Sequence, residues 1–171
     1  MGRGDFVFCE KYIFFEGVYI MAKETKAATS VADKKLEEFR KYVEDNKITG
    51  FNVQDWPAGG HVVRSLLPVA DAKLPFGILF DDSVYAIIQI QLGEGLATGE
   101  KAKKIYSVLN ALNDQYRMLK FSVDVSGNVL LACVVASGLP NFEPALVIAI
   151  LNSIQEELNA HYADIMEALK K

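Results

Sequence analysis

Apolar positions recur along this chain in two rhythms, and the switches between them mark out its elements. From Ser30 to about Asn46, Ala32, Leu36, Phe39 and Val43 fall at helical spacing on one face, while Lys34, Glu37, Glu38 and Lys41 point elsewhere. Ser30 suits the N-cap, where its side-chain oxygen accepts from an amide that the first turn leaves unpaired, and Gly50 is expected to close the helix. The same spacing predicts a second helix from near Thr98 to about Gln115, striped by Ala102, Ile105, Leu109 and Leu112. A third starts around Asn141, with Pro144 in its first turn where the missing N–H costs nothing, and continues to the C-terminus.

Between the helices the rhythm changes to period two. Phe51–Trp56 and Val62–Val69 flank the turn signal Pro57-Ala58-Gly59-Gly60. Phe76–Phe80 and Val84–Leu92 flank Asp81-Asp82-Ser83. A three-residue loop there pairs Phe80 with Val84, Ile78 with Ala86 and Phe76 with Ile88, all on one face. A later hairpin joins Leu119–Val125 to Val129–Ala136 around Ser126-Gly127-Asn128, pairing Val125 with Val129, Val123 with Leu131 and Phe121 with Cys133. Strands joined by hairpins are antiparallel. The chain therefore reads as an α+β fold, an antiparallel sheet with amphipathic helices packed on it, in the order α-β-β-β(-β)-α-β-β-α.

Residues 30–171 read as a single α+β domain, within the usual size of one folding unit. Residues 1–29 form an N-terminal extension with two readings left open. It is a mis-assigned start, with Met21 the true initiator, or an edge strand running from Phe6 to Ile20. The run Met1–Ile20 is aromatic and apolar but broken by Asp5, Glu10, Lys11 and Glu16, which a signal peptide would not tolerate.

A net charge of −4 argues against nucleic acid, whose affinity rests on clustered cations. Lys101, Lys103 and Lys104 read as a solvated helix face. Two cysteines, Cys9 and Cys133, make no disulfide framework and fit a reduced, cytoplasmic protein. No apolar run reaches the roughly 20 residues that span a bilayer, so no membrane association is expected.

Candidate chemistry is thin. Gly93-Glu94-Gly95-Leu96-Ala97-Thr98-Gly99 lies between strand and helix, where phosphate loops sit, but it lacks the Gly-Lys-Ser/Thr of a P-loop and the glycine spacing of a dinucleotide fingerprint. His61 and His161 have no ligand at metal-binding spacing; His61, after a Gly-Gly turn, reads as exposed. Asp81-Asp82 reads as turn chemistry, Glu156-Glu157 as a solvated helix face, and Cys133 as a small buried hydrophobe. No catalytic residue, metal site or cofactor is assigned, and the chain is read as a non-enzyme.

What stands out is apolar surplus. Val129–Ala136 is apolar on both faces: Val129, Leu131, Cys133 and Val135 on one, Leu130, Ala132 and Val134 on the other. On the last helix Val147, Leu151, Ile154, Leu158, His161, Ile165 and Ala168 form a continuous seam. That seam packs its own core or meets a second subunit, with His161 at the polar edge. Leu130, Ala132, Val134, Leu151 and Leu158 are the candidate partner or dimer surface.

Three stretches carry a family likeness: Leu109-Asn110-Ala111-Leu112-Asn113, then Phe121-Ser122-Val123-Asp124-Val125-Ser126-Gly127-Asn128-Val129-Leu130-Leu131, then Leu139-Pro140-Asn141-Phe142 leading into the long helix. In these the segment from about Phe76 to Leu169 resembles the YbjN family of sensory-transduction regulators, which shares the type III secretion chaperone fold. The resemblance implies a dimeric, protein-binding adaptor or chaperone-like module of unknown partner, with Asn110, Asn113 and Gly127 as structural motif residues. Read from the residues, Asn110 and Asn113 satisfy chain ends where the second helix stops. The alternative function is a small-molecule-binding regulatory domain with a pocket between the sheet and the last helix, near Tyr85 and Ile87.

Overall fold

The computed structural model describes residues 29–170, so both readings of the extension over Phe6–Ile20, and Cys9, lie outside the described residues. Helix α1 (Val31–Asp45) is followed by strands β1 (Asn52–Asp55), β2 (His61–Val69), β3 (Ala72–Phe80) and β4 (Tyr85–Gly93). Then come α2 (Lys101–Gln115), β5 (Lys120–Val123), β6 (Val129–Ala136) and α3 (Pro144–Lys170). All strand pairs are antiparallel, in the spatial order β1-β2-β3-β4-β6-β5. The expected α+β architecture and element order are what the structure shows.

Period-two alternation divides the sheet into two faces. Val63, Leu67, Ile78, Phe80, Ile88, Ile90, Leu131 and Cys133 point to the helices and belong to one buried core. Onto it α1 sets Leu36 and Phe39, α2 sets Ile105, Leu109 and Leu112, and α3 sets Val147, Leu151, Ile154, Leu158, Ile165 and Leu169. Phe39 packs edge-on to Phe51 and tilted against Phe80, which meets Phe142 edge-on. Burial pushes the Cys133 thiol up, as befits a packing residue.

Both later hairpins slip two residues from the expected register. Phe80 pairs with Ala86, Ile78 with Ile88 and Phe76 with Ile90. Phe121 pairs with Leu131 and Val123 with Val129. Side-chain demand in the turns is the reason. Asp81 accepts at Oδ1 from the Ser83 amide (3.0 Å) and hydroxyl, and Asp124 accepts from the amides of Ser126 (2.8 Å) and Asn128 (2.9 Å), so each turn takes more residues. Val84 and Val125, expected to pair, are exposed instead. A slip of two leaves every remaining side chain on its original face.

Helix α1 stops at Asn46, where its periodicity placed the end, but Gly50 is not what closes it: the Asn46 amide turns back to Tyr42 O, and Lys47 takes a positive φ of 56°. At its other end Ser30 and Asp33 form a reciprocal capping box, Asp33 N to Ser30 Oγ and Ser30 N to Asp33 Oδ2, both 3.0 Å.

Candidate functional site

Two places outside the core combine exposure with chemistry, and α1 shapes the first. The capping-box residue Asp33 has a second oxygen to spare, and the β1–β2 hairpin brings His61 to it. Asp33 Oδ1 lies 2.7 Å from His61 Nε2, and Asp55 Oδ1 lies 3.1 Å from His61 Nδ1. The hairpin is the cause. Gly59 N donates to Trp56 O and Trp56 N to Gly60 O, with Gly59 at a φ of +99°, a turn followed by a one-residue bulge. Asp55 then stands directly opposite His61, in the closer, non-hydrogen-bonded type of pair.

His61, read from sequence as exposed, therefore has its side chain only 17% exposed and bridges two carboxylates. Hydrogen bonds from His61 and then from Ser30 hold the Asp33 carboxyl at about 2, below its usual value of 3.8. The bridge fastens the first turn of α1 to the hairpin. Between them lies an open cleft of about 710 Å³. Its walls are Asp33, Glu37, Arg40, Lys41 and Glu44 of α1 and Val53 and Asp55 of β1, with Leu36 and His61 between.

A second tie holds α1 from the other side. Lys35, a fully buried residue, donates from Nζ to the carbonyls of Asp81 (2.9 Å), Ser83 and Tyr85 (2.8 Å). Asp82 Oδ1 accepts from the Ala32 amide at 2.9 Å, capping the helix in trans. Burial pulls the Lys35 ammonium below its ordinary pKa, against the pull of Asp81 and Asp82. The sequence pair Asp81-Asp82 thus serves the turn, as read, and the helix as well.

The second place is the sheet face opposite the helices. Ile87 pairs with Val134, Tyr85 with Ala136 and Gln89 with Ala132, so these side chains form one continuous surface. Val134 is 52% exposed and Tyr85 45%, next to exposed Val84. Toward the middle of the face Val62, Leu79, Gln89 and Leu130 are buried, and the Gln89 Oε1 atom has no hydrogen-bond partner.

The five candidate surface residues divide accordingly. Val134 and partly exposed Ala132 lie on this face; Leu130 shares it but is buried. Leu151 and Leu158 are 5% and 1% exposed in the core of this chain, because the α3 seam lies along the sheet. His161 sits on the half-exposed flank of α3, 3.6 Å from Glu157. Tyr85 and Ile87 point away from α3, so they do not line the space between the sheet and that helix. Instead the α3 side of the sheet is filled by core side chains.

The motif asparagines also separate. Asn110 is exposed on α2. Asn113 does not satisfy its own helix end but brackets β5: Nδ2 donates to Phe121 O at 3.0 Å and Oδ1 accepts from Phe121 N at 2.6 Å. Gly127, with φ of +82°, accepts from Ala97 N at 2.9 Å, and Asn128 Oδ1 accepts from Gly95 N at 2.9 Å. The glycine-rich segment after β4 thus has two amides engaged by the β5–β6 turn.

No group of His, Cys, Asp and Glu among the described residues is arranged to hold a metal ion. No helix among them is long and apolar enough to cross a membrane. The chain matches no protein-family model, and a search of curated proteins finds no match either.

Proposed function

We propose that this protein is a non-enzymatic protein-binding module, a homodimeric adaptor or chaperone-like domain of the kind that the YbjN-like motifs suggest. The observation that carries the reading is the exposed apolar surface of Tyr85, Val134 and partly exposed Ile87 on the sheet face opposite the described helices. Contiguous apolar side chains left in water favour burial by another surface, at about 25 cal/mol per Å². Leu130, Leu151 and Leu158 drop out of the proposed surface because the chain itself already buries them. Val134 and Ala132 remain, joined by Tyr85 and Ile87. In the alternative, a small-molecule regulatory domain, Tyr85 and Ile87 would not line the space between the sheet and α3, since they lie on its far face.

Light scattering on the full chain and on Val134→Glu tests the reading. A dimer for the parent and a folded monomer for the variant is the expected result. A parent that stays monomeric across concentration removes the dimer, and a Val134→Glu dimer moves it off this face.

A further inference from the structure

We propose that the cleft between α1 and β1 receives an extended, lysine- or arginine-bearing segment of a partner protein, which adds to the sheet as a strand along β1. This rests on the protein-binding reading above and gives it a second surface with a defined chemistry.

The two edges of the sheet are finished differently. At β5, Asn113 occupies the outward N–H and C=O of Phe121, so that edge is blocked at its centre. At β1 it is open. Because Trp56 N donates to Gly60 O, alternation along the hairpin turns the main chain of Gln54 toward β2. Val53 and Asp55 therefore direct their N–H and C=O groups away from the sheet, and the Asp55 side chain is 94% exposed. An edge of this kind is a template for an incoming strand, main-chain bonds supplying affinity and alternate side chains selectivity.

The cleft supplies the selectivity. The α1 wall of the cleft, from Asp33 to Glu44, is about 16 Å of helix, and Val53 and Asp55 of β1 line it opposite. Four carboxylates (Asp33, Glu37, Glu44, Asp55) line the cleft with two cations (Arg40, Lys41) and with His61, which bridges Asp33 and Asp55. The excess is negative, and it favours a cationic occupant. A second copy of this chain is the poorer fit, since pairing β1 with β1 would bring two acidic clefts together.

Backbone NMR on the full-length chain, titrated with an end-blocked pentapeptide of alternating lysine and valine, is the test. The expected result is saturable shifts at the Val53 and Asp55 amides. Glu37→Lys with Glu44→Lys, two exposed substitutions, is expected to raise the Kd at least tenfold, while the glutamate–valine counterpart leaves the spectrum unchanged. Equal binding of both peptides, or no shift at Val53 and Asp55, overturns the proposal. Shifts at Tyr85 and Val134 instead overturn this location while leaving the protein-binding reading intact. Loss of a dimer on reversing Glu37 and Glu44 would assign the cleft to a second copy and overturn it equally. The Val134→Glu experiment above judges the parent reading independently.

Discussion

The side-chain amide of Asn113 binds both main-chain groups of Phe121, donating to the carbonyl at 3.0 Å and accepting from the N–H at 2.6 Å. An amide offers one donor and one acceptor at the spacing of a peptide group, so Asn113 stands where a seventh strand would be. It blocks the β5 edge at Phe121 and docks the end of α2 to the sheet in one contact. Asn113→Ala is expected to cost about 1–2 kcal/mol in chemical denaturation and to speed hydrogen exchange at the Phe121 amide. Asn113→Asp, which keeps the acceptor and loses the donor, should leave that amide slower than in the alanine variant.

Lys35 is the reverse of a surface lysine. Its ammonium binds three carbonyls in the β3–β4 turn and its stem is enclosed in the protein. Lys35→Met keeps the apolar stem and removes the donors, leaving carbonyls of Asp81, Ser83 and Tyr85 with a lost partner. The ammonium's own desolvation cost disappears with it, so the net loss is expected near ~2–4 kcal/mol, read from urea denaturation. Lys34→Met, on the exposed neighbour, should stay within about 0.5 kcal/mol.

Asp33 titrates at about 2 in the fold against an ordinary 3.8. A carboxyl with a lowered folded pKa adds stability above its unfolded value, and that stability is lost as pH falls from about 3.8 through about 2. His61→Ala removes the larger of the contacts that lower it. Carboxyl NMR should then place Asp33 between 2 and 3.8, since the Ser30 bonds remain. The acid-unfolding midpoint should move to higher pH. An unmoved Asp33 titration would mean that the bridge to α1 is absent in solution.

Gly127 holds a φ of +82°, and a Cβ there would meet Thr98 Cγ2 at 2.7 Å and Ala97 O at 3.1 Å. Gly127→Ala therefore faces backbone strain and a clash together, with an expected loss of about 1–3 kcal/mol in thermal or chemical unfolding. The clash with the threonine methyl is removable and the backbone strain is not. Thr98→Ser in the same background should recover part of the loss.

The sequence by itself determined the fold class, the order of helices and strands, the cap at Ser30 and the face on which each strand residue lies. These are local quantities, set by periodicity and by the chemistry of adjacent residues. Register survived a two-residue error for the same reason: period two returns Ile78, Phe80, Ile88 and Leu131 to the same face. What only the tertiary structure decided involves partners far apart in the chain. Lys35 meets Asp81 some 46 residues on, and Asp33 meets His61 across 28. A lysine beside a polar helix stripe and a histidine after two glycines both look solvated until folding brings an acceptor to them. The same holds for Leu151 and Leu158, whose apolar seam reads alike whether a sheet of this chain or a second subunit covers it. Hydrophobic burial is non-directional, so pattern states that a face must be covered, and only packing states by what.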